Sequence, residues 1–451
     1  MFQKTDISST ESTKNVAVAD KFLHWHSWVL LGYGIFGRGF AYFGVSPLFI
    51  GEITLAFGLI TLTLNKSFPK LLKLPQTWFL IVFMMWCCIN TIPYYPRYGL
   101  FAIRDAALWY YCFFALIIGT LLVSKPRRFL FMVEQYKRFT KIFLILMPLL
   151  RPIPKSLIPR LPGSGVPFIF LKGADVMNHL GGVSAFLLGT NFIQTKVTFF
   201  FLMLLINLGV VAPNTNRSGM LAFLNSFTFL SFVKSKNSRI LRVLAVILFV
   251  ILLFLIIKPD IFDRLFTRLA SIFVEGDQRN QGTKEYRLEW WTHLINTTIF
   301  GDYFWTGRGF GFNLGAGTGF DPTGDGSARS PHNGHITVLA RTGVPGALMW
   351  LLVQLSWAGT ILVKYFRSRA KGETKWAGIF LTLLCYWITV MTTTSFEVII
   401  EGPSGAVWFW TMYGVGLAAI YIYKRYPEIF DEISSEDSDE DSDKSTSTLP
   451  H

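Results

Sequence analysis

The amino-acid sequence predicts an all-α membrane protein that crosses the bilayer many times. Hydrophobic residues make up 51% of its 451 residues and charged residues only 16%, whereas a water-soluble domain carries roughly 25% charged residues. Many apolar runs approach the roughly 20 residues that a helix needs to span the hydrocarbon core. The runs are continuous and rich in Leu and Phe, whereas membrane-barrel strands alternate over about ten residues. Helices are therefore strongly favoured.

The apolar runs predict about twelve spans. They lie near 27–43, 47–64, 76–92, 105–123, 139–150, 176–193, 197–213, 218–233, 239–257, 335–363, 374–393 and 404–424. The fifth and sixth runs are the weakest. The segment between them, 151–175, is rich in Pro and Gly, which is typical of a loop or a re-entrant segment.

Clusters of lysine and arginine predict the orientation of the chain. They occupy the alternate connections at 66–73, 125–141, 234–242, 364–375 and 424–425. Such clusters mark the cytoplasmic side, so both termini are predicted to be cytoplasmic. The connections at 93–104, 151–175, 213–217 and 258–334 are then outside. The same rule accounts for most of the net charge of +14, so we do not predict nucleic acid as a partner.

This orientation divides the chain into four regions. Residues 1–257 form an N-terminal bundle of about nine spans, and 258–334 form a periplasmic loop with amphipathic helices. Residues 335–425 form the C-terminal membrane helices, and 426–451 form an acidic cytoplasmic tail with the composition of a disordered segment. The polar N-terminus lacks the apolar core of a cleavable signal peptide, so the first span is expected to direct insertion.

The long loop 258–334 is the part most expected to carry function, because loops longer than about 15 residues usually do. Its segment 284–299 has the spacing of a helix. One face of that helix carries Tyr286, Trp290, His293 and Leu294. The pattern predicts an amphipathic helix on the outer leaflet, with Arg287 projecting from its first turn.

A Gly-rich turn and a histidine follow this helix. Gly307, Gly309 and Gly311 form a turn whose backbone N–H groups are expected to approach an anion; the absence of a strand–helix unit argues against nucleotide binding. His332 directly precedes the tenth span, and its pKa near neutrality suits a general base. The alternative is a structural or solvated histidine. The histidines and cysteines show no metal-ligand spacing, so we predict neither a metal nor a cofactor.

Charged residues at the outer rim leave alternative interpretations open. Arg217, in an Asn-Arg-Ser-Gly turn, is either a phosphate ligand that makes paired hydrogen bonds or an anchor that snorkels to the interface. Arg104 is either a functional cation, the partner of Asp105 in a local ion pair, or an interface anchor beside the aromatic belt of Trp109, Tyr110 and Tyr111. Glu397 and Glu401, between the last two spans, either counter the arginines or hold the loop.

Taken together, these motifs resemble the O-antigen ligase and Wzy polymerase superfamily. The likeness covers about residues 90–425 and rests on the order of the motifs. They are the Arg217-Ser218-Gly219 turn, the Arg-x-x-x-Trp element from Arg287 to Trp291, the Gly-x-Gly-Phe-Gly turn from Gly307 to Gly311, and His332-Asn333.

The resemblance implies a GT-C-like glycosyltransferase of the bacterial inner membrane with a periplasmic active site. Such enzymes move a glycan from undecaprenyl pyrophosphate to an acceptor hydroxyl, such as that of lipid A-core, without metal or nucleotide. By position, Arg217 and Arg287 would hold the pyrophosphate, His332 would be the general base, and Asn333 would orient the acceptor. We predict further substrate contacts from Arg104, Arg308, Gly309, Gly311 and Arg341.

One departure from the superfamily pattern bears on the acceptor. After His-Asn many members carry an acid before a Gly-x-x-Gly, whereas Arg341 stands near that place here; it either contacts substrate or anchors the helix. A Wzy-type polymerase, with a lipid-linked glycan as acceptor, is the alternative function. A transporter would suit twelve spans, but its charges usually lie near the midplane in broken helices rather than at the rim. The sequence does not predict the oligomeric state.

Overall fold

The computed structural model describes residues 13–193, 195–211, 217–234, 278–315 and 329–430. The described chain is mostly helical. Its helices are α1 (Thr13–Phe36), α2 (Arg38–Ala41), α3 (Ile50–Leu64), α4 (Phe68–Leu71), α5 (Pro75–Thr91), α6 (Tyr95–Tyr98), α7 (Leu100–Asp105), α8 (Ala107–Tyr110), α9 (Phe113–Ser124), α10 (Pro126–Leu150), α11 (Gly173–Gly189), α12 (Val197–Val211), α13 (Arg217–Lys234), α14 (Gln278–Ile299), α15 (Gly334–Ala370), α16 (Thr374–Thr394) and α17 (Pro403–Arg425). Three 3-10 turns and one antiparallel hairpin complete it: Ile92–Tyr94, Lys155–Leu157, Pro427–Phe430, and β1 (Gly44–Val45) with β2 (Leu48–Phe49).

Within the described residues, five helical segments are long and apolar enough to cross a membrane. They are Pro75–Tyr98, Leu100–Ser124, Gly334–Ala370, Thr374–Thr394 and Pro403–Arg425. Three shorter apolar helices accompany them: Ile50–Leu64, Val197–Val211 and Ser218–Val233. The all-α membrane fold is thus confirmed, while the number of twelve spans stays a prediction. The predicted span 239–257, parts of the 258–334 loop and the acidic tail lie outside the described residues.

The structure corrects the start of the first predicted span. The helix is Thr13–Phe36 rather than 27–43, and it ends because Gly37 adopts φ +67°, a conformation that side chains disfavour. A Cβ added at Gly37 would also lie 2.5 Å from the carbonyl oxygen of Phe170. The polar residues before 27 therefore extend the helix, and the glycine sets its end.

The fifth predicted span is part of a longer helix. Helix α10 starts at Pro126 and is continuous to Leu150, so most of the basic cluster 125–141 lies on a helix rather than in a loop. Lys and Arg are good helix formers, and Arg128 is buried with its Nε 2.7 Å from Asp20 Oδ1. The basic residues therefore do not interrupt the helix.

The larger of two apolar clusters among the described residues includes α17, which is buried from Ala406 to Tyr423. Helix α17 packs closely on α9, where a Cβ added at Gly414 would lie 2.6 Å from the carbonyl oxygen of Ala115. Small residues permit such close backbone approach between membrane helices. The close packing fixes α17 against α9 in the middle of this cluster.

Connections predicted to be outside meet the turn after α1 at one end of the bundle. This end is here called the loop end (residues 36–39, 92–105, 151–172, 300–315, 329–333 and 395–402). Phe170 pairs with the end of α1, since its N–H donates to Phe36 O and its carbonyl accepts from the Arg38 N–H, both at 2.9 Å. The Gly-rich turn packs on Tyr94 and Tyr98. These contacts place the connections together, while the side of the membrane that they face stays a prediction.

Candidate functional site

A kink near the start of α15 shapes the loop end. Gly343 has φ 70° and ψ −174°, which breaks the helical hydrogen-bond series. The N–H of Val344 donates instead to Phe304 O at 2.8 Å, and Pro345 has no N–H to donate. The carbonyl groups of Ala340 and Arg341 therefore lose their usual helical donors.

The Gly-rich turn after α14 supplies the missing donors. The N–H of Arg308 donates to Ala340 O at 2.7 Å, and the N–H of Gly309 donates to Arg341 O at 3.1 Å. Gly307 has φ +66°, and a Cβ added there would lie 2.4 Å from the carbonyl carbon of Arg341. Only glycine permits this approach, so the turn and the kink fit each other.

Asp105 fixes the same turn from the other side. Its Oδ2 accepts from the Gly311 N–H at 3.0 Å, and it lies 3.2 Å from Arg329 Nη2 and 2.9 Å from Arg341 Nη2. The side chains of Asp105 and Arg341 are only 8% and 2% exposed. Burial of such charges requires that they be paired and hydrogen-bonded. Asp105, at the end of α7, is therefore the hub that joins α7 to the Gly-rich turn and to α15.

These contacts revise three predicted substrate ligands. The N–H groups of Gly309 and Gly311 donate to the protein itself, and Arg341 binds Asp105 and the carbonyl oxygen of Gly309. The kink and the hub thus accept the N–H groups that we expected to approach a substrate anion, and substrate binding at Gly309 and Gly311 stays a prediction. Arg341 anchors the helix, the second of its two interpretations.

Two other predicted ligands behave differently from each other. Arg104 is exposed and makes no ion pair within the described chain, so its local pairing with Asp105 is wrong. Arg308 lies over the rings of Tyr303 and Phe312 at 4.7 and 5.7 Å and donates to Thr297 at 3.2 Å. Those contacts tie the turn to α14. Substrate binding by Arg104 and Arg308 stays a prediction.

The predicted amphipathic helix exists as α14, but its apolar face covers protein. Trp290 and Leu294 are fully buried and pack with Leu314 and Ala340. The indole Nε1 of Trp290 donates to Leu314 O at 3.2 Å, a hydrogen bond that hydrocarbon does not offer. The expectation that this face rests on the outer leaflet is therefore corrected, since the face packs on the turn and on α15.

The Arg-x-x-x-Trp element holds the histidine segment against α14. The indole Nε1 of Trp291 donates to Pro331 O at 2.7 Å, one residue before His332. Residues four apart share a helix face, so Arg287 lies on the side of α14 that carries this tether. The spacing of the motif thus brings the positive charge of Arg287 to His332, where it lowers the pKa of the imidazole.

The residues on either side of Pro331-His332 are also fixed. Asn333 Oδ1 accepts from the Ile336 N–H at 3.1 Å and so caps α15. The Ser330 hydroxyl donates to Glu401 Oε1 at 3.3 Å, which supports the interpretation that Glu401 holds the loop. Burial raises the pKa of Glu401 to about 7, against the opposing charge of Arg341 and the hydrogen bonds to the carboxyl.

His332 is half-buried and has the left-handed φ of +53°. Its Nδ1 is buried with no hydrogen-bond partner among the described residues. Burial lowers its pKa below 6.5, and the positive charges of Arg287, Lys172 and Arg38 lower it further, whereas Glu397 raises it. The imidazole is therefore neutral at pH 7 and able to accept a proton.

Lys172 and Arg38 are site residues that the sequence analysis missed. Arg38 Nε lies 3.2 Å from Asp175 Oδ2 at the start of α11. Asn178 Oδ1 accepts from Thr393 Oγ1 at 2.7 Å, which joins this end of α11 to the end of α16. The available signal was a charged Lys-x-x-Asp opening an otherwise apolar run.

The structure thus brings together three of the predicted site residues. Arg287, His332 and Asn333 meet at the loop end, and Arg217 is the first residue of α13. The side chain of Arg217 lies outside the described part of the chain. Its role as a phosphate ligand therefore stays a prediction.

Fold and site together define a mostly helical membrane protein whose loop end carries a histidine close to several cations. Residues 199–351 match the family model Wzy_C, O-antigen ligase. The match covers part of the chain and confirms its resemblance to the O-antigen ligase and Wzy superfamily. No curated protein matches the chain. Asp105, Lys172 and Arg38 all precede the matched segment.

Proposed function

We propose that the protein is a GT-C-like, inverting glycosyltransferase that moves a glycan from undecaprenyl pyrophosphate to an acceptor hydroxyl. The acceptor is lipid A-core or a similar glycolipid at the periplasmic face of the inner membrane. The observation that carries this proposal is the neutral, half-buried His332 beside Arg287 inside an O-antigen ligase domain. The polymerase alternative uses the same chemistry with a lipid-linked glycan as acceptor.

His332 acts as the general base in this proposal. A ring nitrogen takes the proton of the acceptor hydroxyl while the hydroxyl oxygen attacks the anomeric carbon. The bond from that carbon to the pyrophosphate oxygen breaks, and its electron pair leaves with the pyrophosphate. Attack opposite the leaving group inverts the anomeric centre. Asn333 acts through its cap on α15, which fixes the residue next to the base.

Arginine side chains stabilise the departing charge in place of a metal. Arg287 is half-buried and makes no ion pair with the described residues, so its guanidinium is available for phosphate oxygens. Arg217, at the start of α13, is the second proposed ligand. Preorganised cations aimed at the developing charge lower the barrier directly, and a guanidinium binds phosphate through two parallel hydrogen bonds.

Purified protein with a lipid-linked oligosaccharide and two acceptors tests the proposal. Transfer to lipid A-core identifies a ligase, and transfer to a second lipid-linked glycan identifies a polymerase. His332→Ala is expected to lose about 10²–10⁴-fold of either activity, the usual contribution of a general base. Arg217→Lys is expected to lose activity too, since lysine cannot make the planar two-point contact.

His24→Ala is the matched control, because His24 is an exposed histidine on α1. Wild-type transfer by His332→Ala would exclude the base role. If neither acceptor gains glycan and the protein moves substrate across liposomes, the protein is a transporter and the proposed glycosyltransferase function is wrong. Inversion is checked by the anomeric configuration of the new linkage.

A further inference from the structure

Cations from the first half of the chain approach the same histidine as Arg287. Gly334 packs on Thr394, since a Cβ added at Gly334 would lie 2.7 Å from Thr394 Cγ2. The neighbouring Thr393 donates to Asn178 of α11 at 2.7 Å. The His332 segment, the end of α16 and the start of α11 therefore converge, and Lys172 lies at the point where α11 begins.

Lys172 is half-buried at this junction and makes no ion pair within the described chain. Burial lowers the pKa of its ammonium, and the neighbouring charge of Arg38 lowers it further, against Glu397 and Asp175. Removing a cation from water is unfavourable unless an anion compensates it. Lys172 has Glu397 and Asp175 in its surroundings but pairs with neither of them, so its ammonium can accept a further anion.

Arg38 is held in a fixed position next to Lys172. Its Nε lies 3.2 Å from Asp175 Oδ2, and its backbone N–H donates to Phe170 O at 2.9 Å. Two segments distant in sequence are thus locked together around the lysine. A preorganised cation loses little freedom when a ligand binds.

Among the described residues, the cations around His332 outnumber the carboxylates. Arg287, Lys172 and Arg38 lower the pKa of His332, whereas only Glu397 among these described residues raises it. Asp175 is engaged with Arg38, and Arg287 and Lys172 form no ion pair within the described residues. An anion bound between Arg287 and Lys172 would complete the neutralisation.

We propose that Lys172, positioned by Arg38, binds a phosphate group of a lipid-linked substrate near His332. This inference rests on the proposed function and extends it, since it assigns a phosphate subsite to a segment that precedes the matched O-antigen ligase domain. The phosphate belongs either to the pyrophosphate of the donor or to the phosphorylated headgroup of the acceptor.

Equilibrium binding to the full-length protein in nanodiscs of zwitterionic lipid tests the subsite. The probes are undecaprenyl pyrophosphate, which carries the donor phosphates, and lipid A, which carries the acceptor phosphates. Lys172→Met is expected to weaken binding of one probe by about ten-fold or more, the size of one charge-assisted hydrogen bond. The probe that loses affinity identifies the source of the phosphate.

Lys155→Met is the matched control, because Lys155 is an exposed lysine in the same connection and rests over the ring of Phe170. Lys172→Arg is expected to restore most of the lost affinity, which a purely structural defect would not permit. Unchanged affinity of Lys172→Met for both probes overturns the inference. If the wild-type protein transfers glycan and Lys172→Met binds both probes normally, only the phosphate subsite is refuted. If the wild-type protein transfers no glycan but Lys172→Met binds a probe more weakly, the proposed enzyme activity is refuted and the subsite is retained.

Discussion

The two ends of the bundle use the same basic residues in different ways. At the end opposite the loop end, Lys375 Nζ donates to Phe430 O at 2.9 Å, Arg369 donates to Val233 O, and Arg128 pairs with Asp20. Each of these cations has a fixed partner in the protein. At the loop end, Arg287 and Lys172 face a histidine without an ion pair in the described chain. These basic residues at the opposite end complete the fold, as Arg341, Arg329 and Arg38 do at the loop end, whereas Arg287 and Lys172 are left to bind a ligand.

Removing the Asp105 hub is expected to have the largest effect on this difference. Asp105→Asn leaves the buried guanidinium of Arg341 and the neighbouring Arg329 without a carboxylate. Loss of one partner of a buried pair costs about 3–5 kcal/mol. We expect a markedly lower unfolding midpoint in detergent and little transfer.

Asp302→Asn is the control for this change, because Asp302 is an exposed aspartate in the segment between α14 and the Gly-rich turn. An Asp105→Asn protein with an unchanged midpoint would show that the hub is not needed to hold the loop end together.

Gly307→Ala is expected to have the next largest effect. The added Cβ would lie 2.4 Å from the carbonyl carbon of Arg341, and Gly307 has φ +66°. The left-handed conformation alone costs roughly 1–2 kcal/mol, and the backbone clash adds to it. We expect a lower midpoint and reduced transfer.

Gly163→Ala separates the cost of the left-handed conformation from the cost of the backbone clash. Gly163 has φ +82°, but a Cβ there meets no heavy atom within 4 Å in the described part of the chain. Equal losses of stability in both variants would mean that the turn does not dock tightly on the kink.

The pH dependence of transfer is expected to change moderately when the charges around His332 change. The neutral imidazole is the active form and its pKa is lowered, so the acidic limb of the profile is expected below pH 6.5. Lys172→Met removes a charge that lowers this pKa and moves the limb to higher pH. Glu397→Gln removes a charge that raises it and moves the limb to lower pH.

Initial rates between pH 4.5 and 8 measure both shifts. If the acidic limbs of the Lys172→Met and Glu397→Gln profiles coincide, His332 is not the group that accepts the proton.

The smallest effect is expected for a surface pair at the opposite end. Lys371 Nζ lies 3.7 Å from Glu373 Oε1, and the lysine is 58% exposed. Exposed pairs of this kind contribute about 0–1 kcal/mol. Lys371→Met is expected to leave the unfolding midpoint and the transfer rate nearly unchanged; a loss as large as that of Asp105→Asn would abolish the contrast between the two ends.

Local sequence patterns predicted the helices and part of the site. Continuous apolar runs mark α5, α16 and α17, and the four-residue spacing of Arg287 and Trp291 places both on one side of α14. Asn333 also carries a local signal, since Asn commonly begins a helix, and the structure shows it as a cap. Such features depend on neighbours in sequence, which is why a single chain reveals them.

The remaining site residues depend on contacts between distant segments. Asp105 binds Arg341, 236 positions later (341 minus 105), and Arg38 binds Asp175, 137 positions later. No local pattern encodes such pairs, because they follow from how the helices pack. The partners of the Gly-rich turn were missed for the same reason, since its N–H groups donate to the kinked helix and to Asp105, which are distant in sequence.

The kink at Gly343 also couples the order of the site to docking of the Gly-rich turn. Until the turn carrying Arg308 and Gly309 docks, the carbonyl groups of Ala340 and Arg341 lack the hydrogen bonds that it donates, and a buried polar group without a partner costs about 1–3 kcal/mol. Docking of the turn and folding of this part of α15 are therefore expected to occur together. A bundle that has folded in this way already has the segment that carries His332 in place.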